Sequence, residues 1–216
     1  VKDINIFCFG FGQVAKNFIE KLKKENYNIK LSATSRDKST SSEISGIKFK
    51  KYQFSENNID PSLNKNLKKA DHVLISIPPI NGEDIVVKNF SDTFNEIRPK
   101  WVTYLSATSV YGDHKGEWVN EDSETLPTSK NGIDRLKAEN SWASLQKNKN
   151  LSIQIFRLSG IYSAQNNILV RLKSGNAYIV SKKNNFFSRI HVEDIGNILL
   201  KSLGIFKSGE IYNISD

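Results

Sequence analysis

The sequence predicts an α/β protein built on a doubly wound parallel sheet with a small C-terminal lobe. The first observation is that apolar runs typical of buried strands alternate with segments whose apolar residues have helical spacing. The second is that these strand runs are nearly continuous, which indicates a parallel sheet covered by helices on both faces. At ~150 residues per domain, the 216 residues correspond to about 1.4 domains. We therefore expect one domain over 1–216, with the small lobe formed by parts of 160–216.

The elements follow in a regular order. Strands are predicted at 5–9, 29–34, 47–54, 71–77, 101–106 and 152–157, and helices at 13–25, 83–98, 132–146 and 191–203. The segment 37–45 is polar and rich in Ser and Thr, so we expect a mobile loop or a weak helix there.

Composition and charge limit the function classes. Hydrophobic residues make up 38% and charged residues 25% of the chain, and no apolar run approaches the ~20 residues of a membrane helix. The net charge of +8 comes largely from dispersed lysines without interleaved aromatic residues, so we expect a solvated surface and no nucleic-acid partner. A polyanion-binding protein stays open on charge alone. The single Cys8 and the absence of a leader pattern predict a cytoplasmic protein. Because no two His or Cys residues lie at ligand spacing, we expect no metal site.

A glycine-rich turn follows the first predicted strand. Residues 10–15, Gly-Phe-Gly-Gln-Val-Ala, fit G-x-G-x-x-G/A between a strand and a helix. Gly10 permits the tight turn, Gly12 lets the backbone approach a pyrophosphate, and Ala15 allows helix and strand to lie close together. The free N–H groups at the start of the helix favour phosphate. The turn predicts a dinucleotide site, and an ordinary glycine turn is the alternative.

The end of the second strand bears on the choice of cofactor. An acidic residue there accepts a hydrogen bond from a ribose 2′-OH and repels a 2′-phosphate. Here the chain has Thr34, Ser35 and Arg36, and a hydroxyl and a guanidinium suit a phosphate. We therefore predict NADP in preference to NAD, with a plain surface arginine as the alternative.

Six segments together resemble the extended or atypical short-chain dehydrogenase/reductase superfamily, of the NAD-dependent epimerase/dehydratase type. They lie at 9–12, 76–79, 105–113, 157–162, 189–194 and 212–216, in the order of that superfamily. The resemblance implies a Rossmann domain that binds a dinucleotide. It also implies a cofactor site lined by Phe11, Gly12, Gln13, Val14, Ser35, Arg36, Ile77, Pro78 and Pro79.

The catalytic triad of that superfamily is replaced in this chain. Its Y-G-x-x-K-x-x-x-E pattern falls on 131–139, where Asn131 stands for the Tyr and Arg135 for the Lys. The hydroxyl position falls on Ala107. Asn131 cannot transfer a proton near neutral pH, whereas Arg135 could still hold a ribose or a phosphate.

Three nearby side chains are candidate replacements. Tyr111 follows the same strand and is a candidate acid, with a structural or substrate-binding role as the alternative. Ser106 and Thr108 flank Ala107 and could donate to a substrate or to nicotinamide, or only cap the strand end.

Two functions stay open. One is an NADP-dependent oxidoreductase, epimerase or dehydratase-like enzyme acting on a nucleotide sugar or another small carbonyl or hydroxyl compound. The other is a non-catalytic NADP(H)-binding sensor or regulator, which the replaced triad suggests. The resemblance also implies that the chain can pair as a homodimer. Because related chains continue beyond the segment at 212–216, we expect a shortened or cut substrate lobe.

Overall fold

A computed structural model describes residues 2–177 and 186–216. The strands are β1 (Lys2–Phe9), β2 (Tyr27–Ser35), β3 (Thr40–Ile44), β4 (Ile47–Gln53), β5 (His72–Ile75), β6 (Trp101–Ala107), β7 (Ile153–Leu158), β8 (Gly160–Tyr162), β9 (Arg189–His191) and β10 (Ile211–Ile214). The helices are α1 (Gln13–Lys24), α2 (Leu63–Leu67), α3 (Ile85–Ile97), α4 (Lys130–Lys149), α5 (Ile168–Lys173) and α6 (Val192–Ile205). Within these ranges no helix is long and apolar enough to cross a membrane.

The main sheet has the order β10-β7-β6-β5-β1-β2-β4-β3. All neighbours pair in parallel except β3 and β4, which are antiparallel. The chain leaves β1 toward β2 on one side and later returns to β5 on the other. This reversal opens a crevice at the carboxyl ends of the strands, where ligands bind in doubly wound sheets. The predicted fold class is confirmed.

Helices cover both faces of the sheet, as the apolar runs predict. Side chains of β1 alternate between the faces: Ile6 and Cys8 join the hydrophobic cluster under α1 and α6, whereas Phe7 and Phe9 join the cluster under α3 and α4. Complete burial raises the pKa of the Cys8 thiol, which fits a core residue.

The expectation of a mobile loop or weak helix at 37–45 is wrong for most of that segment. Residues 40–44 form β3, which pairs with β4 through a two-residue loop and brings Ile44 opposite Ile47. Ser45 and Gly46 both have positive φ, at 50° and 79°, as a tight hairpin turn with the twist of β-strands requires. The Ser-Gly pair was the sequence feature that could have predicted this hairpin.

The last quarter of the chain contributes both to the main α/β layers and to a small separate sheet. α6 packs against α1, and β10 extends the main sheet beside β7, so both belong to the main α/β layers. Among the described residues, β8 and β9 form a separate two-stranded parallel sheet. His191 ends β9 and its ring nitrogen caps α6 by accepting from the amide of Glu193, so it is not inside the helix as the sequence predicted.

Candidate functional site

The glycine turn lies where β1 ends, at the reversal of the sheet. Gly10 has φ of +87°, and a Cβ there would lie 2.7 Å from Ser76 Oγ and 2.8 Å from Ile77 Cγ2. Its amide donates to Thr34 Oγ1 at 2.8 Å, which ties the turn to the end of β2. The turn therefore requires glycine at position 10, both for its backbone conformation and for its closeness to the segment after β5.

Position 12, unlike position 10, has free space for a side chain. It is the N-cap of α1 with an extended backbone, at φ −86° and ψ −166°, and no side chain caps the helix. A Cβ at Gly12 would meet no atom of the described residues within 4 Å. The start of α1 thus presents uncapped backbone amides and the positive end of the helix dipole toward open space.

A cavity of about 380 Å³ opens in front of this helix start, at the carboxyl ends of β5, β6 and β7. It is lined by Gly12, Gln13, Val14, Ala15, Ser76, Leu105, Ser106, Ala107, Arg135, Leu158, Ser159 and Ile161. The structure therefore brings five predicted site residues to one cavity, namely Gly12, Gln13, Val14, Ser106 and Arg135.

The other predicted residues lie outside the lining of this cavity. Phe11 packs its ring against Phe49, with centroids 4.8 Å apart, and so joins the core. Ser35 is the last residue of β2, and Arg36 follows it. The segment with Ile77, Pro78 and Pro79 follows β5, and Thr108 lies half-buried in a short 3₁₀ turn after β6.

Arg135 is held against the end of β6. Ser129 caps α4 by accepting from the amide of Gly132 at 3.1 Å, and the next turn carries Arg135 into the crevice. Its Nη1 donates to Leu105 O at 2.7 Å and to the Tyr104 hydroxyl at 3.3 Å. A fixed positive charge therefore faces the cavity. Asn131 is exposed and does not line it.

Ser106 and Tyr111 belong to one buried polar network. Ser106 Oγ donates to Glu139 Oε1 at 2.5 Å, and Glu139 forms a salt bridge with Arg157 at 2.8 Å. Arg157 Nη1 donates to the Tyr111 hydroxyl at 2.8 Å, and this hydroxyl donates to Asn213 Oδ1 at 2.7 Å. Burial lowers the pKa of Arg157, but the hydrogen bonds to Glu139 and Tyr111 outweigh burial and raise it.

The network joins β6, α4, β7 and β10, and Ser106 connects it to the cavity wall. With Tyr111 only 2% exposed and its hydroxyl bonded on both sides, the geometry favours the structural alternative for this residue. The sequence analysis missed Glu139, Arg157 and Asn213 as partners, although each lies in a segment that matched the superfamily. The missing information was which of these segments meet in space.

A second buried carboxylate has a structural explanation. Asp84 caps α3 by accepting from the amides of Val86 and Val87, and it also accepts from Trp142 Nε1 at 2.9 Å. Burial raises the pKa of Asp84, and these hydrogen bonds oppose the rise. Among the residues that the structure describes, no three His, Cys, Asp or Glu side chains come together to hold a metal ion.

The architecture is similar to solved structures over nearly the whole chain. A conserved protein of unknown function from Silicibacter pomeroyi is 30% identical, with a TM-score of 0.82, over 99% of this chain and 72% of that one. The UDP-N-acetylglucosamine 4-epimerase of Bacillus cereus is 18% identical, with a TM-score of 0.73, over 100% of this chain and 78% of that one.

A third structure holds ligands. The UDP-glucuronic acid 4-epimerase of Bacillus cereus, in complex with UDP-glucuronic acid and NAD, is 19% identical, with a TM-score of 0.77, over 98% of this chain and 77% of that one. No protein-family model matches the sequence, and neither does any curated protein. The chain therefore belongs to the same family as the Silicibacter pomeroyi protein, and it has the fold of the UDP-sugar 4-epimerases.

Proposed function

We propose that the chain binds a nicotinamide dinucleotide, with NADP(H) preferred over NAD(H), in the crevice above the glycine turn. The observation that carries this proposal is the cavity between the uncapped start of α1 and the guanidinium of Arg135. A helix start and a cation in the wall of one cavity suit a ligand with phosphates and a ribose. The NAD bound to the Bacillus cereus epimerase supports the same ligand class.

The sheet order orients the proposed ligand. A pyrophosphate at the start of α1 lies above β1, and the adenosine ribose of a bound dinucleotide lies toward the end of β2. The nicotinamide half then extends the other way, over β5, β6 and β7, where the cavity opens. Gly12, Gln13 and Val14 would hold the pyrophosphate, and Arg135 would hold the nicotinamide ribose or a phosphate.

Arg36 carries the proposed preference for NADP(H). Its side chain is exposed at the end of β2, and its guanidinium forms no ion pair with any residue in the described ranges. Ser35 beside it supplies a hydroxyl that donates only a long hydrogen bond, of 3.3 Å, to the carbonyl of Asp37. Both groups are therefore free to meet a 2′-phosphate.

The test is a calorimetric titration of the Arg36→Glu variant with NADPH and with NADH. We expect NADPH to bind about tenfold more weakly or worse, because a charge-assisted contact is lost and a repulsive charge is added. The affinity for NADH should change by less than about threefold. Lys30→Glu is the matched control, because Lys30 is exposed on the same strand, away from its carboxyl end. Equal loss for both cofactors, or the same loss in the control, would overturn the preference.

The chemistry that we propose is hydride transfer between the nicotinamide and a small carbonyl or hydroxyl compound. A bound NADPH would give a hydride to a carbonyl carbon, whose oxygen would take a proton from solvent, and NADP+ would accept a hydride in the reverse direction. The residues of this chain would bind and orient the two partners. The UDP-sugar ligand of the Bacillus cereus epimerase makes a nucleotide sugar the first substrate class to test. Thr108 is the remaining hydroxyl candidate near the cavity. Steady reduction of NADP+ with a nucleotide sugar, or steady consumption of NADPH with a simple carbonyl compound, lost in Thr108→Ala, would support the enzyme.

A second candidate is a sensor that binds NADP(H) without turnover. The observation that favours it is the chemistry of the cavity wall: its polar side chains are those of Gln13, Ser76, Ser106, Arg135 and Ser159. Serine and glutamine do not exchange protons near neutral pH, and an arginine stays protonated. Tight NADPH binding would support the sensor if simple carbonyl compounds caused no NADPH consumption and nucleotide sugars were neither oxidised by NADP+ nor converted to their epimers.

A further inference from the structure

Ser159 has a buried hydroxyl with no partner in the described part of the chain. It directly follows β7, and its amide donates to Ile214 O at 3.0 Å, which fixes the backbone at this point. The residue is 3% exposed, and its Oγ makes no hydrogen bond. It also forms part of the wall of the cavity above the glycine turn.

The other serines of the cavity wall have paired hydroxyls, in contrast to Ser159. Ser76 Oγ donates to Phe9 O at 3.0 Å, and Ser106 Oγ donates to Glu139. Buried side-chain polar groups are nearly always paired, because an unpaired one loses its hydrogen bonds to water without replacement. The hydroxyl of Ser159 has no partner within the described residues, and a ligand bound in the cavity can supply one.

A second unpaired buried atom, Asn17 Oδ1, has a different setting. It lies against Gly196, where α1 and α6 approach closely, and a Cβ on Gly196 would lie within 2.0 Å of it. Asn17 is not part of the cavity wall. The space between these two helices is too small for a ligand, whereas the cavity that Ser159 borders has room for one.

We infer that the hydroxyl of Ser159 hydrogen-bonds to the carboxamide of a bound nicotinamide ring. This rests on the proposed function, because it follows from the direction of the dinucleotide over the sheet. With the pyrophosphate above β1 and the adenosine toward β2, the ring at the opposite end reaches β6 and β7, and Ser159 is the first residue after β7.

The side chain meets the chemical need of a carboxamide. A carboxamide carries one carbonyl acceptor and two N–H donors, and a serine hydroxyl both donates and accepts. Only one torsion places that hydroxyl, and it has three staggered positions, so pairing with a ligand requires no movement of the backbone. The residue is then a positioning residue that sets which face of the ring lies toward the substrate.

The test compares NADPH with 2′-phospho-ADP-ribose, which has the same phosphates and riboses but no nicotinamide ring. In Ser159→Ala we expect the affinity for NADPH to fall about five- to tenfold, the value of one net hydrogen bond. The affinity for 2′-phospho-ADP-ribose should stay within about twofold of that of the unchanged chain. Both affinities are measured by calorimetric titration.

Thermal unfolding gives an independent readout. Removing an unpaired buried hydroxyl should leave the Tm of the ligand-free protein unchanged or raise it by about 2–4 °C. Ser202→Ala is the matched control, because Ser202 is also buried but its hydroxyl accepts from Trp101 Nε1 at 3.1 Å and donates to Leu199 O at 2.8 Å. That control should lower the Tm and leave both affinities unchanged.

Two results would overturn the inference. One is an unchanged affinity of Ser159→Ala for NADPH. The other is an equal loss for NADPH and 2′-phospho-ADP-ribose, which would place the hydroxyl at the phosphates or riboses. A failure of the proposed function itself is distinguishable, because the unchanged chain would then bind neither compound.

Discussion

The two glycines of the turn allow binding to be separated from folding. Gly12→Ala adds a methyl group where the backbone is extended and where residues 2–177 and 186–216 place no atom within 4 Å. Alanine adopts this conformation without strain, so the free energy of unfolding should stay unchanged or rise by about 0.4–1 kcal/mol, through a more restricted unfolded chain. For a chain of this size that is a rise in Tm of up to about 2–4 °C.

The same methyl group would occupy the space that we assign to the pyrophosphate. Phosphate oxygens approach backbone amides to about 3 Å, which is too close for a Cβ on the same surface. Forcing one methyl group into a close contact costs about 1–3 kcal/mol, or ~5- to 150-fold in Kd. We therefore expect Gly12→Ala to bind NADPH at least about fivefold more weakly, with no loss of stability.

Gly10→Ala is expected to lower the stability of the protein, which Gly12→Ala should not do. Its backbone has φ of +87°, and the new Cβ would lie 2.7 Å from Ser76 Oγ and 2.8 Å from Ile77 Cγ2. Strain of this kind costs about 1–3 kcal/mol of folding free energy, and the Tm should fall by several degrees.

Thermal melts of the two variants and calorimetric titrations with NADPH make the comparison. Wild-type affinity in Gly12→Ala would refute the position of the pyrophosphate. A loss of Tm in Gly12→Ala as large as that in Gly10→Ala would refute the description of the turn.

Two further predictions concern hydrogen bonds around the site. Tyr111→Phe should lower the free energy of unfolding by about 1–3 kcal/mol, because Arg157 loses a buried acceptor. The affinity for NADPH should change by less than about threefold. A loss of NADPH binding at unchanged stability would instead indicate that Tyr111 contacts the ligand. Thr34→Val removes the acceptor of the Gly10 amide, so a thermal melt should show a lower Tm and a titration weaker NADPH binding, and an unchanged Tm would contradict this role.

Local sequence patterns predicted the glycine turn and most strands of the main sheet, because these features depend on neighbouring residues. The two-residue turn at Ser45 and Gly46 was also local, but the polar composition of 37–45 obscured it. The position of β10 beside β7 depends on pairing between Ile211 and Ile155, which are far apart in sequence.

In the candidate site too, local sequence patterns predicted some residues, whereas the roles of others depend on the fold. The pattern of the turn identified Gly12, Gln13 and Val14, and all three line the cavity. The roles of Ser106 and Tyr111 depend on where Glu139 and Arg157 lie in space, and nothing in their spacing along the chain shows this. Ser159 was missed because only the folded chain shows that its hydroxyl has no partner.

The central claim is that the crevice above the glycine turn holds NADP with its nicotinamide toward β7. A crystal structure of the chain with NADP tests this most directly. The account predicts pyrophosphate oxygens within hydrogen-bond distance of the amides at the start of α1, the 2′-phosphate at Arg36, and the nicotinamide ring between Arg135 and Ser159. A pyrophosphate bound elsewhere, or a nicotinamide over β2, would contradict it.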